Sequence, residues 1–231
     1  MIRLYSYVLR FDDGAAPNPF WGICTLTICK PVIRRTAKIG DWIIGTGSKN
    51  SRINDGNTYD LSDSVVYAMK ISDIKSLKDY DIFCRKNLQN KIPNWFARDW
   101  RKRMGDCIYN YSKGSEPILR KGVHNELNRE RDIRGQNALL SNHFYYFGEK
   151  PRPLPNNLKE IIKKNQGHKK IERIDLIANF EQWIKQFDKN KIYAEPQMKY
   201  EFDKEPTDEQ ISKCARRHEE DDRNEIEEIL C

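Results

Sequence analysis

Four short runs of β-branched and aromatic residues constrain the fold of this chain more than any other feature of its sequence. They are residues 3–10 (RLYSYVLR), 42–48 (WIIGTGS), 64–71 (SVVYAMKI) and 143–147 (HFYYF). Runs of this length and composition, bounded by glycine or polar loops, predict β-strands. Residues 107–111 (CIYNY) and 23–29 (ICTLTIC) fit the same description, although Pro31 also favours a short helix close to the second of them.

Helical patterns lie between and after these runs. Ser76 and Asp79 form a weak capping box, which predicts a helix over residues 77–86. Residues 158–164 predict a short helix, and residues 171–187 a longer one with an apolar face. Strands with inserted or appended helices predict an α+β fold around a mostly antiparallel sheet or small β-barrel, with flanking helices and a C-terminal helical extension.

Charge divides the chain into a basic body and an acidic tail. Residues 201–231 contain twelve acidic and five basic side chains, so residues 1–200 carry 36 basic against 22 acidic ones, a net charge of +14. We predict a domain over residues 1–170, a helix and connection packed on it over residues 171–200, and an acidic tail, helical or mobile, over residues 201–231. The basic body favours a nucleic acid or nucleotide partner. A charge excess that only maintains solubility is the alternative, and the tail could compete with a polyanion or dock a partner protein.

Several classes of function are excluded because their motifs are missing. The sequence has no Walker A loop, no GxGxxG after a strand, no HExxH and no GxSxG. Its six cysteines show no CxxC or zinc-like spacing, so we expect reduced thiols, no metal and no cofactor. No run approaches the roughly 18 apolar residues that a membrane span needs, and the N-terminus lacks a secretory signal. We therefore expect a cytoplasmic protein without a membrane partner.

The candidates for acid–base chemistry are few. Asp12 and Asp13 could form a carboxylate pair, although an Asx-turn around Gly14 explains them as well. His143 lies in an aromatic run, where a structural histidine is the alternative to one that faces a ligand. Spacing alone assembles no set of nucleophile, base and orienting residue.

Aromatic and small residues suggest a binding site instead. Aromatic rings can stack on unpaired bases while nearby cations follow the phosphate backbone. Most of the aromatic residues must fill the core, so we expect two or three at most to face a ligand. Gly45-Thr46-Gly47-Ser48 could let backbone N–H groups approach a phosphate or a base, with Lys49 beside them. A simple turn at the end of a strand is the alternative.

Several of these segments together resemble the second of the nucleotide modification associated domain families. The resemblance covers about residues 3–170 and rests on residues 5–10 (YSYVLR), 12–22 (DDGAAPNPFWG), 29–31 (CKP), 40–42 (GDW), 45–48 (GTGS) and 143–148 (HFYYFG). The order of the elements also resembles, more loosely, the EVE and ASCH branches of the PUA-like superfamily. Such domains look like accessory components of bacterial and phage systems that modify DNA or recognise altered bases. That resemblance implies a role without fixing a reaction.

PUA-like folds related to EVE hold a base in a pocket between barrel strands, which implies roles for the loop residues. Phe20 and Trp21 would stack on a flipped or single-stranded base. The other residues expected to bind the ligand are Asp12, Asp13 and Asn18 at the base edge, Thr46, Gly47 and Ser48 on the opposite wall, Arg10 and Lys49 at flanking phosphates, and Tyr145.

Three hypotheses of function follow. The first is a binding module that reads a modified base without catalysis. The second is an enzyme that acts on a nucleotide or nucleobase, with Asp12, Asp13 or His143 as acid or base. The third is an interaction protein whose residues 172–231 dock a partner.

Overall fold

A computed structural model describes residues 1–165 and 167–198, together with Thr207 and Glu209. Apart from those two residues, the acidic tail predicted for residues 201–231 lies outside the described part. The strands are β1 (Leu4–Val8), β2 (Cys24–Leu26), β3 (Trp42–Thr46), β4 (Ser51–Arg52), β5 (Thr58–Tyr59), β6 (Ser64–Lys70), β7 (Asp73–Ser76), β8 (Tyr109–Asn110), β9 (Ile118–Leu119), β10 (Asn137–Ser141), β11 (Phe144–Tyr146), β12 (Arg152–Pro153), β13 (His168–Ile171) and β14 (Lys191–Ile192). The helices are α1 (Pro31–Thr36), α2 (Leu77–Asn87), α3 (Glu126–Arg134) and α4 (Ile174–Ile184), with 3-10 turns at Gln89–Lys91, Trp100–Lys102 and Asn156–Ile161.

The main sheet has seven strands in the order β13-β1-β3-β6-β11-β14, and β12 also pairs with β6. Strands β1 and β3 are parallel, as are β11 and β14, whereas the other pairs are antiparallel. Strands β2, β10 and β7 form a smaller antiparallel sheet. The fold is therefore α+β and mostly antiparallel, as the sequence predicts.

Both faces of the main sheet are buried, each in its own core. Because successive side chains on a strand point to opposite faces, Tyr146 and Tyr145 belong to different cores. Tyr146 packs with the smaller sheet and α2, and Tyr145 packs with α4 and the 3-10 turn at Asn156–Ile161. Burial on both faces explains why the central strands read as nearly continuous apolar runs rather than alternating ones.

Of the two predicted forms, a small barrel or a sheet, the described residues have the sheet and no closed barrel. The path of paired strands ends at β13 on one side and β14 on the other, and these two edges do not pair. Helix α4 and the smaller sheet already cover the two faces, so the main sheet buries its apolar side chains without closing on itself. The other PUA-like expectations have no support in this topology.

Most predicted elements are present, with some shifts in type and bounds. Ser76 caps α2 as predicted, and its hydroxyl accepts a hydrogen bond of 3.0 Å from the backbone N–H of Asp79. The helix predicted for residues 171–187 is shorter, because its first residue belongs to β13 and α4 begins at Ile174. The helix predicted for residues 158–164 is a 3-10 turn, and α3 was not predicted. No helix in the described part of the chain is long and apolar enough to cross a bilayer.

Candidate functional site

A large basic cleft lies where β1, β3 and β13 meet their connecting loops. Its volume is about 1690 Å³, and most of its walls come from three segments. They are the end of β1 and the residues after it (Val8, Arg10, Phe11), the loop after β3 (Gly47, Ser48, Lys49, Asn50), and residues 159, 160, 162–165 and 167–169, which lead into β13. Lys30, Ser62 and Asp63 complete the lining. Because β1 pairs with both β3 and β13, it holds the three segments together.

Positive charge dominates this basic cleft. Its lining contains two carboxylates, Asp63 and Glu160, and seven cationic side chains: Arg10, Lys30, Lys49, Lys159, Lys163, Lys164 and Lys169. Both carboxylates already have a cationic partner, since Asp63 pairs with Lys159 at 2.6 Å and Glu160 with Arg173 at 2.8 Å. Like charges facing one concave surface raise the local concentration of anions. The cleft can therefore attract a polyanion.

The loop after β3 is fixed by short contacts within the protein. A Cβ at Gly47 would lie 2.5 Å from the Leu61 Cβ and 2.6 Å from its carbonyl oxygen, so glycine permits this close approach. The Ser48 backbone N–H donates to the Ser51 hydroxyl at 3.0 Å, and the Leu61 N–H donates to the Ser48 carbonyl at 2.9 Å. This loop therefore presents Ser48 and the exposed Lys49 to the cleft on a rigid support.

Lys30 contributes a buried cation to the cleft. Only 3% of the residue is exposed, and its Nζ lies 4.9 Å from the centre of the Tyr7 ring. Its φ of 43° is unusual for a residue other than glycine. Sequence reasoning did not identify Lys30, although it lies in the Cys29-Lys30-Pro31 stretch that carries part of the family resemblance.

Asp12 lies in a buried polar cluster. The Tyr146 hydroxyl contacts both carboxylate oxygens of Asp12, at 2.7 and 2.8 Å, and the Gln197 N–H donates to one of them at 3.4 Å. Burial raises the pKa of Asp12 to about 7, against the opposing effect of the Tyr146 hydrogen bond. The neighbouring Asp13 accepts from the Ala15 N–H at 2.9 Å, which is an Asx-turn. Asp12 is thus enclosed, and its carboxyl changes charge near neutral pH.

Of the residues expected to contact or stack on a base, Asn18 and Phe20 are buried and Trp21 is partly exposed. Asn18 is fully buried, donates to the Met104 carbonyl at 2.8 Å and accepts from Lys91 Nζ at 2.8 Å. Phe20 is buried too and packs edge-on against Trp100 at 5.4 Å. Trp21 is only partly buried, and the Arg101 guanidinium lies 5.1 Å from its ring centre. Of the two aromatic residues in this turn, Phe20 packs in the core and Trp21 reaches the surface.

The remaining predicted residues lie on the far side of the sheet or inside it. Thr46 is fully buried and donates to the Tyr7 carbonyl at 3.3 Å. Tyr145 is also buried, with its ring stacked on Trp42 at 6.4 Å and its hydroxyl 3.2 Å from His143 Nε2. Burial and the nearby Lys189 and Lys70 lower the pKa of His143. His143 therefore lies with Tyr145 and Trp42, away from the core that holds Asp12 and Tyr146.

The structure thus brings Arg10, Gly47, Ser48 and Lys49 together in the basic cleft, and separates Asp12 from His143. The cleft residues that sequence reasoning missed lie mostly in residues 159–170, which contain five lysines. These lysines are evident in the sequence, but we assigned them to the helix predicted for residues 158–164 and to the residues after it, and did not connect them with a binding site. Within the described residues, no group of three His, Cys, Asp or Glu side chains is arranged to hold a metal ion.

Comparison with known proteins connects this fold to one family. No significant match was found among curated proteins or among solved structures. A family model described as Nucleotide modification associated domain 2 matches residues 1–204, which include every element of the fold and the whole cleft. The chain therefore belongs to the nucleotide modification associated domain 2 family.

Proposed function

We propose that this protein binds a nucleic acid, most simply DNA, through the basic cleft, within a system that modifies or recognises altered nucleotides. The observation that carries the proposal is the lining of the cleft, which contains seven cationic side chains and two carboxylates. One of the seven, Lys159, pairs with the lining carboxylate Asp63, and the other carboxylate, Glu160, pairs with Arg173, which is not among the seven. Membership of a family associated with nucleotide modification supports it.

The dimensions of the cleft suit a polymer better than a small anion. A volume of about 1690 Å³ exceeds the roughly 300–1,000 Å³ of a small-molecule pocket. Several lysines from different segments can contact successive phosphates, and each contact releases condensed counterions. Binding of this kind depends strongly on salt and only weakly on base sequence.

Base recognition is a second part of the proposal, and Trp21 is its best remaining candidate. Asp12, Asn18, Phe20 and Tyr145 are buried, and they make their contacts inside the protein. Trp21 is partly exposed, and its Nε1 is buried without a hydrogen-bond partner among the described residues. An unpaired base can stack with Trp21 and the exposed Arg101, which already lies over the ring.

The first test is a comparison of two triple variants in which the same amount of charge is removed. One is Arg10→Gln, Lys49→Gln and Lys164→Gln, which removes three cations from the cleft. The control is Lys78→Gln, Lys86→Gln and Lys113→Gln, at exposed positions outside the cleft. Affinity for single- and double-stranded oligonucleotides, plain and base-modified, is measured by fluorescence anisotropy.

We expect the cleft variant to bind every oligonucleotide about tenfold more weakly or worse, since an exposed ion contact contributes up to about 1 kcal/mol. The control should lose much less. Equal losses of affinity in the two variants would show that binding depends on net charge alone and not on the cleft, and would overturn the proposal. Trp21→Ala tests the second part, because it should remove any preference between plain and modified single strands while retaining the salt-dependent affinity.

A further inference from the structure

Cys29, His124 and Asp132 form a linear polar array that the proposed binding function does not use. Cys29 follows β2, His124 precedes α3, and Asp132 lies within α3. The Cys29 Sγ is 3.4 Å from His124 Nε2, and His124 Nδ1 is 2.6 Å from Asp132 Oδ2. The thiol and the carboxylate contact opposite nitrogens of the ring, so the three groups form a relay and do not converge on one point as metal ligands would.

Asp132 fixes the orientation of the imidazole. Burial alone would raise the pKa of Asp132, but His124 and Arg34 outweigh that effect and hold it below its usual value. The ionised carboxylate keeps a proton on Nδ1 and leaves Nε2 to accept the thiol proton. Asp132 itself is held by the Cys29 N–H and by the Tyr109 hydroxyl, each at 2.9 Å. The pair is therefore positioned as a base with its orienting carboxylate.

The backbone at Cys29 is strained. Its φ is 58° and that of Lys30 is 43°, so two consecutive residues other than glycine adopt the left-handed conformation. Residues in such sparsely populated conformations cluster at functional sites. Here they turn the chain from β2 into α1, much as a nucleophile is presented on a sharp turn between a strand and a helix.

Cys29 also differs from the other described cysteines in its surroundings and its position. Burial raises the pKa of the Cys24 thiol to about 12, and a hydrogen bond with Cys84 together with burial raises the pKa of the Cys107 thiol. Cys29 faces an imidazole, and 6% of the residue remains exposed. Cys29 itself packs at the edge of the core, and the next residue, Lys30, lines the basic cleft.

We propose that Cys29 is a nucleophile for acyl transfer, with His124 as its general base and Asp132 as the positioning residue. The substrate class is an ester or amide carbonyl carried on a phosphate-bearing molecule, and this choice of carrier rests on the proposed function of the cleft. His124 takes the thiol proton, Sγ attacks the carbonyl carbon, and the alcohol or amine leaves with the proton from His124. Water then hydrolyses the thioester, giving a carboxylic acid and restoring the thiol.

The first experiment follows alkylation of each cysteine in the wild-type full-length chain by iodoacetamide as a function of pH, with peptide mass spectrometry. An ordinary thiol has a pKa near 8.5, so very little of it is thiolate at pH 6. We expect the Cys29 profile to have its midpoint below about pH 7. Relative to its own plateau, its rate at pH 6 should be at least about thirtyfold higher than that of an ordinary thiol, because about 9% of a thiol with a pKa of 7 is thiolate at pH 6, against about 0.3% at a pKa of 8.5.

His124→Asn and Asp132→Asn should each move that midpoint toward 8.5, in variants whose circular dichroism matches the wild type. A purely structural network would leave the Cys29 midpoint at or above 8.5 in the wild type, and that result overturns the proposal without any variant.

A second experiment uses the neutral ester p-nitrophenyl acetate. We expect an acetyl group on Cys29 in the wild type and in Cys84→Ser, and none in Cys29→Ser. The control variant Lys78→Gln, Lys86→Gln and Lys113→Gln should also be acetylated on Cys29, because its substitutions lie outside the cleft. A wild-type protein that is acetylated on Cys29 but binds no oligonucleotide would show that the proposed function of the cleft fails while the nucleophile holds. Absence of acetylation in the wild type would refute the nucleophile.

Discussion

Replacing Asp12 with asparagine tests whether the carboxyl group of Asp12 is buried and protonated in the folded protein. In the folded protein the pKa of Asp12 is about 7, whereas its ordinary value is 3.8. Between these pH values the folded state holds a proton that the unfolded chain has lost. The free energy of unfolding of the wild type should therefore fall as pH rises through this window, by up to about 1.4 kcal/mol per pH unit and on the order of 4 kcal/mol in all.

Asp12→Asn cannot lose this proton, so it should not share the decline. Between about pH 5 and pH 8, we expect the free energy of unfolding of the variant to rise by about 3 kcal/mol relative to that of the wild type. The assay is urea unfolding followed by tryptophan fluorescence at four pH values. Comparison with the wild type at each pH cancels the titration of groups that the two proteins share.

Asp188→Asn is the matched control, because Asp188 is an exposed carboxylate that pairs with Lys191 at 2.7 Å. We expect its stability difference from the wild type to stay constant over the same range. A constant difference for Asp12→Asn, or a change that favours the wild type at high pH, would refute the assignment of a buried, protonated Asp12.

Two further substitutions test the packing around the site. Gly45→Ala should destabilise the protein by about 1–3 kcal/mol in urea unfolding, because its Cβ would lie 2.5 Å from the ring of the fully buried Tyr67; wild-type stability would contradict this packing. Lys91→Met should cost about 3–5 kcal/mol, since the buried Lys91 Nζ donates to two oxygens of Asn18 and to Thr25 Oγ1, all at 2.8 Å. The exposed Lys86→Met is its control, and equal effects would count against the buried network.

The strands and the fold class were predictable because they depend on local patterns. The aromatic and branched runs at residues 3–10, 42–48 and 64–71 correspond to β1, β3 and β6. Closure of a sheet depends instead on which edges meet in space. Helix α4 covers one face of the main sheet, so that face is buried without closure of the sheet into a barrel. No local pattern in the sequence specifies this packing.

Helix α3 was missed for a different reason. Its sequence, ELNRERDIR, has almost no apolar periodicity, and its two buried residues are Asn128 and Asp132. Periodicity of apolar residues cannot reveal a helix whose buried face is polar. The Asn125–Asn128 capping box was the available signal, and an asparagine at its third helical position is less recognisable than the usual glutamate or glutamine.

The candidate sites could be predicted only in part, because they join residues that are distant in sequence. Arg10 and Lys49 were selected for their charge beside aromatic or glycine-rich loops, and both line the cleft. Lys164 joins them only because β13 pairs with β1. The Cys29–His124 contact spans 95 residues, so spacing could not identify it. Conversely, Asp12 and Asn18 read as polar loop residues and are buried inside the protein.

The most direct test of the central claim is the salt dependence of single-stranded DNA binding by the wild type and by the two triple variants. The logarithm of the binding constant falls with the logarithm of salt concentration, with a slope of about −0.7 for each phosphate contact on a single strand. Loss of Arg10, Lys49 and Lys164 should therefore make the slope shallower by about 2, and the control variant should keep the wild-type slope. Identical slopes for all three proteins would show that the basic cleft does not contact phosphate, and would contradict the account.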